Sequence, residues 1–121
     1  EQEVASISRE LKGLALELDI AVVAPVQLNR SPAGRPDGKP LLVDLRESGQ
    51  IEQDADVVVL LHHPEEEIEI SPGRTERQPT GEVTFIIAKN RHGACYDVPL
   101  DWNPGYATIS PWRPRGLQDA T

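Results

Sequence analysis

A chain of 121 residues with a formal charge of −8 supports one domain around one core, and its acidity argues against a surface that holds nucleic acid by bulk electrostatics, since counterion release needs clustered lysine and arginine. Cys95, the single cysteine, excludes an internal disulfide and fits a reducing compartment, and no apolar run approaches the length of a membrane span. The charge is uneven: Arg30, Arg35 and Lys39 stand against Asp37 alone while Glu52 to Glu82 is strongly acidic, so a DNA partner would have to touch local loops. With no methionine and an opening on E-Q-E-V-A-S-I-S-R-E-L without turn or cap, the chain is expected to begin inside a helix of a longer, cytoplasmic protein.

Val4, Ile7, Leu11, Leu14 and Leu18 recur at three- and four-residue steps, which predicts an amphipathic helix ended by Asp19. Ile20 to Val26 then reads as a strand, with Pro25 near its end and Gln27 at its carboxyl end. From Asn29 to Pro40 the density of proline and glycine predicts a long surface loop. Leu41 to Gln53 is expected to be helical in two short pieces broken around Ser48 and Gly49. The run Val57 to Leu61 is aliphatic throughout, as in a strand covered on both faces, so it is expected as the second strand of a parallel sheet.

His63 to Thr80 carries Pro64, Pro72, Gly73 and Pro79 among a cluster of glutamates and reads as a mobile, solvated insertion. Val83 to Ala88 is a third buried strand. It is followed by K-N-R-H-G, Lys89 to Gly93, and by a strand from Cys95 to Leu100, together a hairpin with a cationic tip. Tyr106 to Ser110 adds a last short strand. The domain is thus expected over 1–110, with 111–121 a disordered tail.

The densest charge lies between Asp44 and Asp56, D-L-R-E-S-G-Q-I-E-Q-D-A-D, around one glycine just before the aliphatic strand. Burying so many ionisable groups is costly, so Arg46, Glu47, Glu52, Asp54 and Asp56 are expected near a surface that an ionic partner can reach. His62 and His63 do not read as metal ligands: adjacent strand residues face opposite ways and no second ligand pair has suitable spacing. Cys95 reads as a packed strand residue, and Trp102 and Trp112 are too isolated to form a stacking platform for bases.

Q-L-N-R (Gln27 to Arg30), the Asp44–Asp56 segment and K-N-R-H-G (Lys89 to Gly93), in this order and spacing, resemble the carboxy-terminal part of the bacterial DnaB-type replicative helicases. The resemblance covers Glu1 to about Tyr106, and the stretch from Glu65 to Gln78 and the tail after Ser110 lie outside it. It implies an α/β fold: the second half of a RecA-like core, a mostly parallel sheet with flanking helices and a carboxy-terminal β-hairpin. It also implies a homo-hexamer that couples ATP hydrolysis to translocation on single-stranded DNA and to unwinding, with primase and a helicase loader as partners.

A nucleotide site of that kind needs a phosphate-cradling G-x-x-x-x-G-K-[ST] loop and an acidic strand end for Mg²⁺. This sequence has neither. ATP and Mg²⁺ would therefore be bound mainly by a part preceding Glu1, and this chain alone is expected to be inactive. By resemblance, Gln27 is a polar sensor between nucleotide phosphate and the DNA loops, and Arg46, Glu47 and Gly49 hold the DNA backbone in a central channel. Lys89 and Arg91 are implied to reach a neighbouring subunit's nucleotide, Arg91 as an arginine finger. The bland alternatives are a loop glutamine, a solvated Arg46–Glu47 pair worth at most about 1 kcal/mol, and a solubilising hairpin tip. Rival functions are a RecA-like recombination or repair ATPase, against which the R-E-S-G-x-I-E-Q-D-A-D segment weighs, and a non-catalytic DNA-binding or assembly module.

Overall fold

The structure, a computed structural model, describes residues 2–28 and 34–113, with the backbone alone for residues 2 and 46–48. The expected disordered tail and the loop residues 29–33 lie outside the described residues for all but the first positions of the tail.

Helix α1 (Gln2–Leu18) forms where the apolar stripe predicts it. It ends at Asp19, whose φ of 53° is the left-handed conformation that closes helices, and Ile20 N–H bonds back to the Ala15 carbonyl at 3.1 Å. The expected strand Ile20–Val26 is not formed. A strand exists as one side of a ladder, and among the described residues nothing pairs with this segment, which leaves Ile20, Val22, Val23 and Val26 exposed. The charged segment folds as expected in two pieces, a 3₁₀ helix (Leu42–Ser48) kinked at Leu45 and helix α2 (Gly49–Asp54).

Strands β1 (Val57–His62), β4 (Glu82–Asn90), β5 (Asp97–Asn103) and β6 (Thr108–Pro111) form one sheet in the order β1-β4-β5-β6, antiparallel at every pairing. The parallel arrangement is therefore corrected. Parallel neighbours need a crossover element between them, usually a helix. Between β1 and β4 the chain instead makes a hairpin, β2 (Glu65–Ser71) with β3 (Arg74–Pro79), and returns to the end of the sheet it left. The same hairpin gives regular structure to His63–Thr80, expected as a mobile, solvated insertion: Pro72–Gly73 makes its turn, with Gly73 at φ 74°, and the Thr80 N–H closes its base on the Pro64 carbonyl at 3.0 Å.

Strand β1 is apolar on both sides but buried on one. Val58, Leu60 and His62 are buried while Val57, Val59 and Leu61 are exposed. Val58 and Leu60 form the core with Leu45, and Leu28, Leu42, Ala55, Ile86 and Ala88 pack around them. The hairpin of β4 and β5 and the final strand β6 agree with expectation. Cys95 does not: it is exposed and precedes β5, because the turn after Asn90 runs on to Tyr96 before pairing is regular.

One irregularity bears on the site. Val58 faces Lys89 but Val59 faces Ile87, so Ala88 is an extra residue on β4, a bulge. Without it Lys89 would share the uncovered face with Val57 and Val59. With it, Lys89 is re-aimed to the face of β1 that packs on Leu45 of the 3₁₀ helix.

Candidate functional site

The α1 face presents Ser8 and Lys12, one helical turn apart, to the chain around α2. Ser8 Oγ donates to Asp54 Oδ2 at 2.8 Å, and Gln50 Nε2 donates to Asp54 Oδ1 at 2.8 Å from within α2. Lys12 Nζ bonds both oxygens of Asp56, at 2.9 and 2.8 Å.

The other side of Asp56 belongs to Arg91. Its Nη1 lies 2.6 Å from Asp56 Oδ1, its Nη2 donates to the Gln53 carbonyl at 2.9 Å, and its backbone N–H donates to the Asp56 carbonyl at 2.9 Å. Lys89, re-aimed by the bulge, donates from Nζ to the carbonyl of Glu52. The two cations therefore gather at the carboxyl end of α2, where unsatisfied carbonyls and the helix dipole favour positive charge. The hydrogen bond from Lys12, reinforced by the charges of Lys12, Arg91 and His92, lowers the Asp56 carboxyl below its ordinary value.

A second ionic centre lies at the start of the 3₁₀ helix. Asp44, fully buried, takes both terminal nitrogens of Arg35 at 2.8 and 2.7 Å and the Leu41 N–H at 2.8 Å. The hydrogen bond to Asp44 raises the Arg35 guanidinium further above its usual range. Lys39 lies 3.4 Å from Asp97. Two of the cations that made the loop look locally positive are thus engaged within the chain, and Arg30 falls outside the described residues.

Of the sequence-predicted residues, Lys89 and Arg91 are brought together, and Gln27 is exposed in the irregular segment that follows α1. Arg46 and Glu47 lie in the 3₁₀ helix, one turn before α2, with side chains outside the description. Gly49 begins α2 at φ −55°, and a Cβ there would meet nothing within 4 Å among the described atoms. Neither backbone strain nor packing against the described residues requires glycine at that position. Sequence reasoning missed Asp44, Lys12 and the support that Asp56 gives Arg91. For Asp44 a signal existed, an acid in a first helical turn able to take a free N–H; for Lys12 none did, because its partner is 44 residues away.

Comparison with known proteins gives a consistent result. The family described as DnaB-like helicase C terminal domain matches residues 1–110. The chain is 54% identical over 98 residues to the replicative DNA helicase DnaB of Mycobacterium leprae (strain TN), a match spanning 81% of this chain and 15% of that helicase. It is similar to a solved ATPase domain of G40P, with a TM-score of 0.76 and 38% identity over 93% of this chain and 37% of the other. A DnaB-like replicative helicase, solved in a study that includes its interactions with primase, matches with a TM-score of 0.73 and 38% identity over 90% of this chain and 25% of its own.

Proposed function

The chain belongs to the DnaB-like helicase C terminal domain family, and from that premise we propose that it supplies the DNA-facing and subunit-bridging parts of a hexameric replicative helicase that couples ATP hydrolysis to movement along single-stranded DNA. The observation that carries the reading is the placement of the motif residues on α2. Arg46 and Glu47 immediately precede this helix, and Lys89 and Arg91 are bonded to its last carbonyls. At 1.5 Å per residue such a helix spans only about 9 Å, so a shift at its DNA-facing start reaches the cations at its end. Coupling of DNA position to hydrolysis needs such a rigid link.

In this reading Arg46 offers a fork to a DNA phosphate, Glu47 orients a neighbouring donor, and Gly49 lets its main-chain N–H approach the backbone closely. The open space around position 49 among the described atoms supports that role. Gln27 relays the state of the phosphate as a neutral donor and acceptor. Arg91, with Lys89, stabilises charge on the γ-phosphoryl of a nucleotide held by the adjacent subunit.

These donors suit nucleotide phosphate and not its Mg²⁺. Among the described residues no group of three or more His, Cys, Asp or Glu is placed to hold a metal ion. The uncovered aliphatic faces at Ile20–Val26 and Val57, Val59 and Leu61 support a core completed by further strands. Primase and a loader are the partners this assembly implies, and the cytoplasm its compartment. Among the described residues no helix is long and apolar enough to cross a membrane.

Mixed hexamers test the reading. In the complete protein, Arg91→Ala subunits and subunits lacking the phosphate-loop lysine are each inactive alone. Co-assembled, they regain limited hydrolysis where a wild-type finger meets an intact nucleotide site. Normal hydrolysis by Arg91→Ala alone would return the hairpin to a charged turn.

A further inference from the structure

We propose that Asp56, with Lys12 behind it, is a positioning residue for Arg91: it fixes one guanidinium nitrogen, beside the Gln53 carbonyl that takes the other, so that the remaining N–H groups are held ready for phosphate. The inference rests on the finger reading of Arg91 given above and adds to it the groups that aim the finger.

Arg91 sits in a turn, where a long side chain would otherwise sample many rotamers. Three bonds remove that freedom, from its backbone N–H to the Asp56 carbonyl, from Nη1 to Asp56 Oδ1 and from Nη2 to the Gln53 carbonyl. A guanidinium has five N–H donors, so with two used in the chain three remain to meet a phosphate, and the side chain stays 37% exposed. Fixing these torsions before the nucleotide arrives is the kind of preorganisation that separates a rate-enhancing contact from a merely attractive one.

Asp56 can serve as an anchor because it is itself anchored. Lys12 Nζ holds both carboxylate oxygens from α1, 44 residues earlier in the chain. The trio Lys12, Asp56 and Arg91 keeps a net charge of +1, so the carboxylate orients the finger without cancelling it. Replacing Asp56 by a neutral group leaves Arg91 beside Lys12, Lys89 and, when protonated, His92, with repulsion where there was attraction.

The test is steady-state ATP hydrolysis by the complete protein with single-stranded DNA present. Asp56→Asn should lower kcat about tenfold or more while KM for ATP stays within about twofold, by analogy with the loss of other groups that orient a reactive residue. Hexamer assembly should be retained, and Asp56→Glu should recover part of kcat. In an Arg91→Ala background Asp56→Asn should cause no further loss, since the two act as one unit. Lys12→Gln, which frees the carboxylate but leaves its pair with Arg91, should lower kcat by a smaller factor and remains informative if Asp56→Asn assembles poorly. Normal kcat in both Asp56→Asn and Lys12→Gln, with collapse in Arg91→Ala, would overturn the positioning role and leave the finger standing. Full additivity of Asp56→Asn with Arg91→Ala would also overturn it, by showing a structural staple. Normal hydrolysis by Arg91→Ala would remove the finger reading and this one with it.

Discussion

Two regions of this chain are equally rich in charge and are organised in opposite ways. Around α2, Ser8, Lys12, Lys89 and Arg91 converge on Asp54, Asp56 and the last helix carbonyls, through bonds that join residues 35 to 46 positions apart. The β2–β3 hairpin also mixes glutamates with arginines, yet it pairs with itself, and nearly all its residues are exposed. Charge held by long-range bonds fixes the geometry of the side chains that carry it. Charge on a self-paired hairpin keeps an appendage solvated.

Each prediction strains one side of that contrast. The largest effect is expected for Arg91→Ala in the complete protein. If Arg91 acts as the proposed finger, ATP hydrolysis should fall about a thousandfold with nucleotide binding and assembly retained, and Lys89→Ala should be milder because lysine lacks the planar fork. Phosphate release and nucleotide titration measure the two halves. Next is Asp44→Ala, which removes a buried acceptor of three bonds and should destabilise the fold by about 2 kcal/mol, read as a lower midpoint in denaturant.

Gly49→Ala separates fold from function. Helix propensity should raise stability by up to about 1 kcal/mol, while affinity for single-stranded DNA should drop about tenfold through loss of one close main-chain contact. A gain or no change in both would remove the DNA role of Gly49.

His62 gives a pH signature at the junction of the two regions. Burial first, and Lys39 second, lower its pKa in the folded chain, so the unfolded chain takes up the proton more readily. Stability is therefore complete above the ordinary histidine value of about 6.5 and declines as pH falls through it, and His62→Gln should flatten that decline in melting temperature. The smallest effect should come from replacing Glu65–Pro79 by two glycines: hydrolysis should change by less than about twofold, as befits a self-paired surface segment.

Much of this was legible in the sequence because it is local. The α1 stripe, the break before Gly49 and the hairpin after Asn90 each depend on neighbours within a few positions. The hairpin at 65–79 was missed: the alternation Glu67-Ile68-Glu69-Ile70 leading to Pro72–Gly73 carries its period, but the loop-like overall composition hides it. Strand direction was not. An all-aliphatic β1 reads the same whether one face or two are covered, and its polarity relative to β4 is decided by the connection between them. The support of Arg91 by Asp56 was equally hidden, since it depends on the register of β4 and on an extra residue at Ala88.

Strand β1 has a consequence for handling the isolated chain. It is the outermost strand of its sheet, carries no charge from Val57 to Leu61, and offers an open row of N–H and C=O groups beside exposed Val57, Val59 and Leu61. Colloidal stability then depends on the net charge of −8, which vanishes near the isoelectric point of about 4.8. Concentrated in mildly acidic buffer, the chain is a template for edge-to-edge self-association; kept above neutral pH at low salt, its own repulsion holds those edges apart.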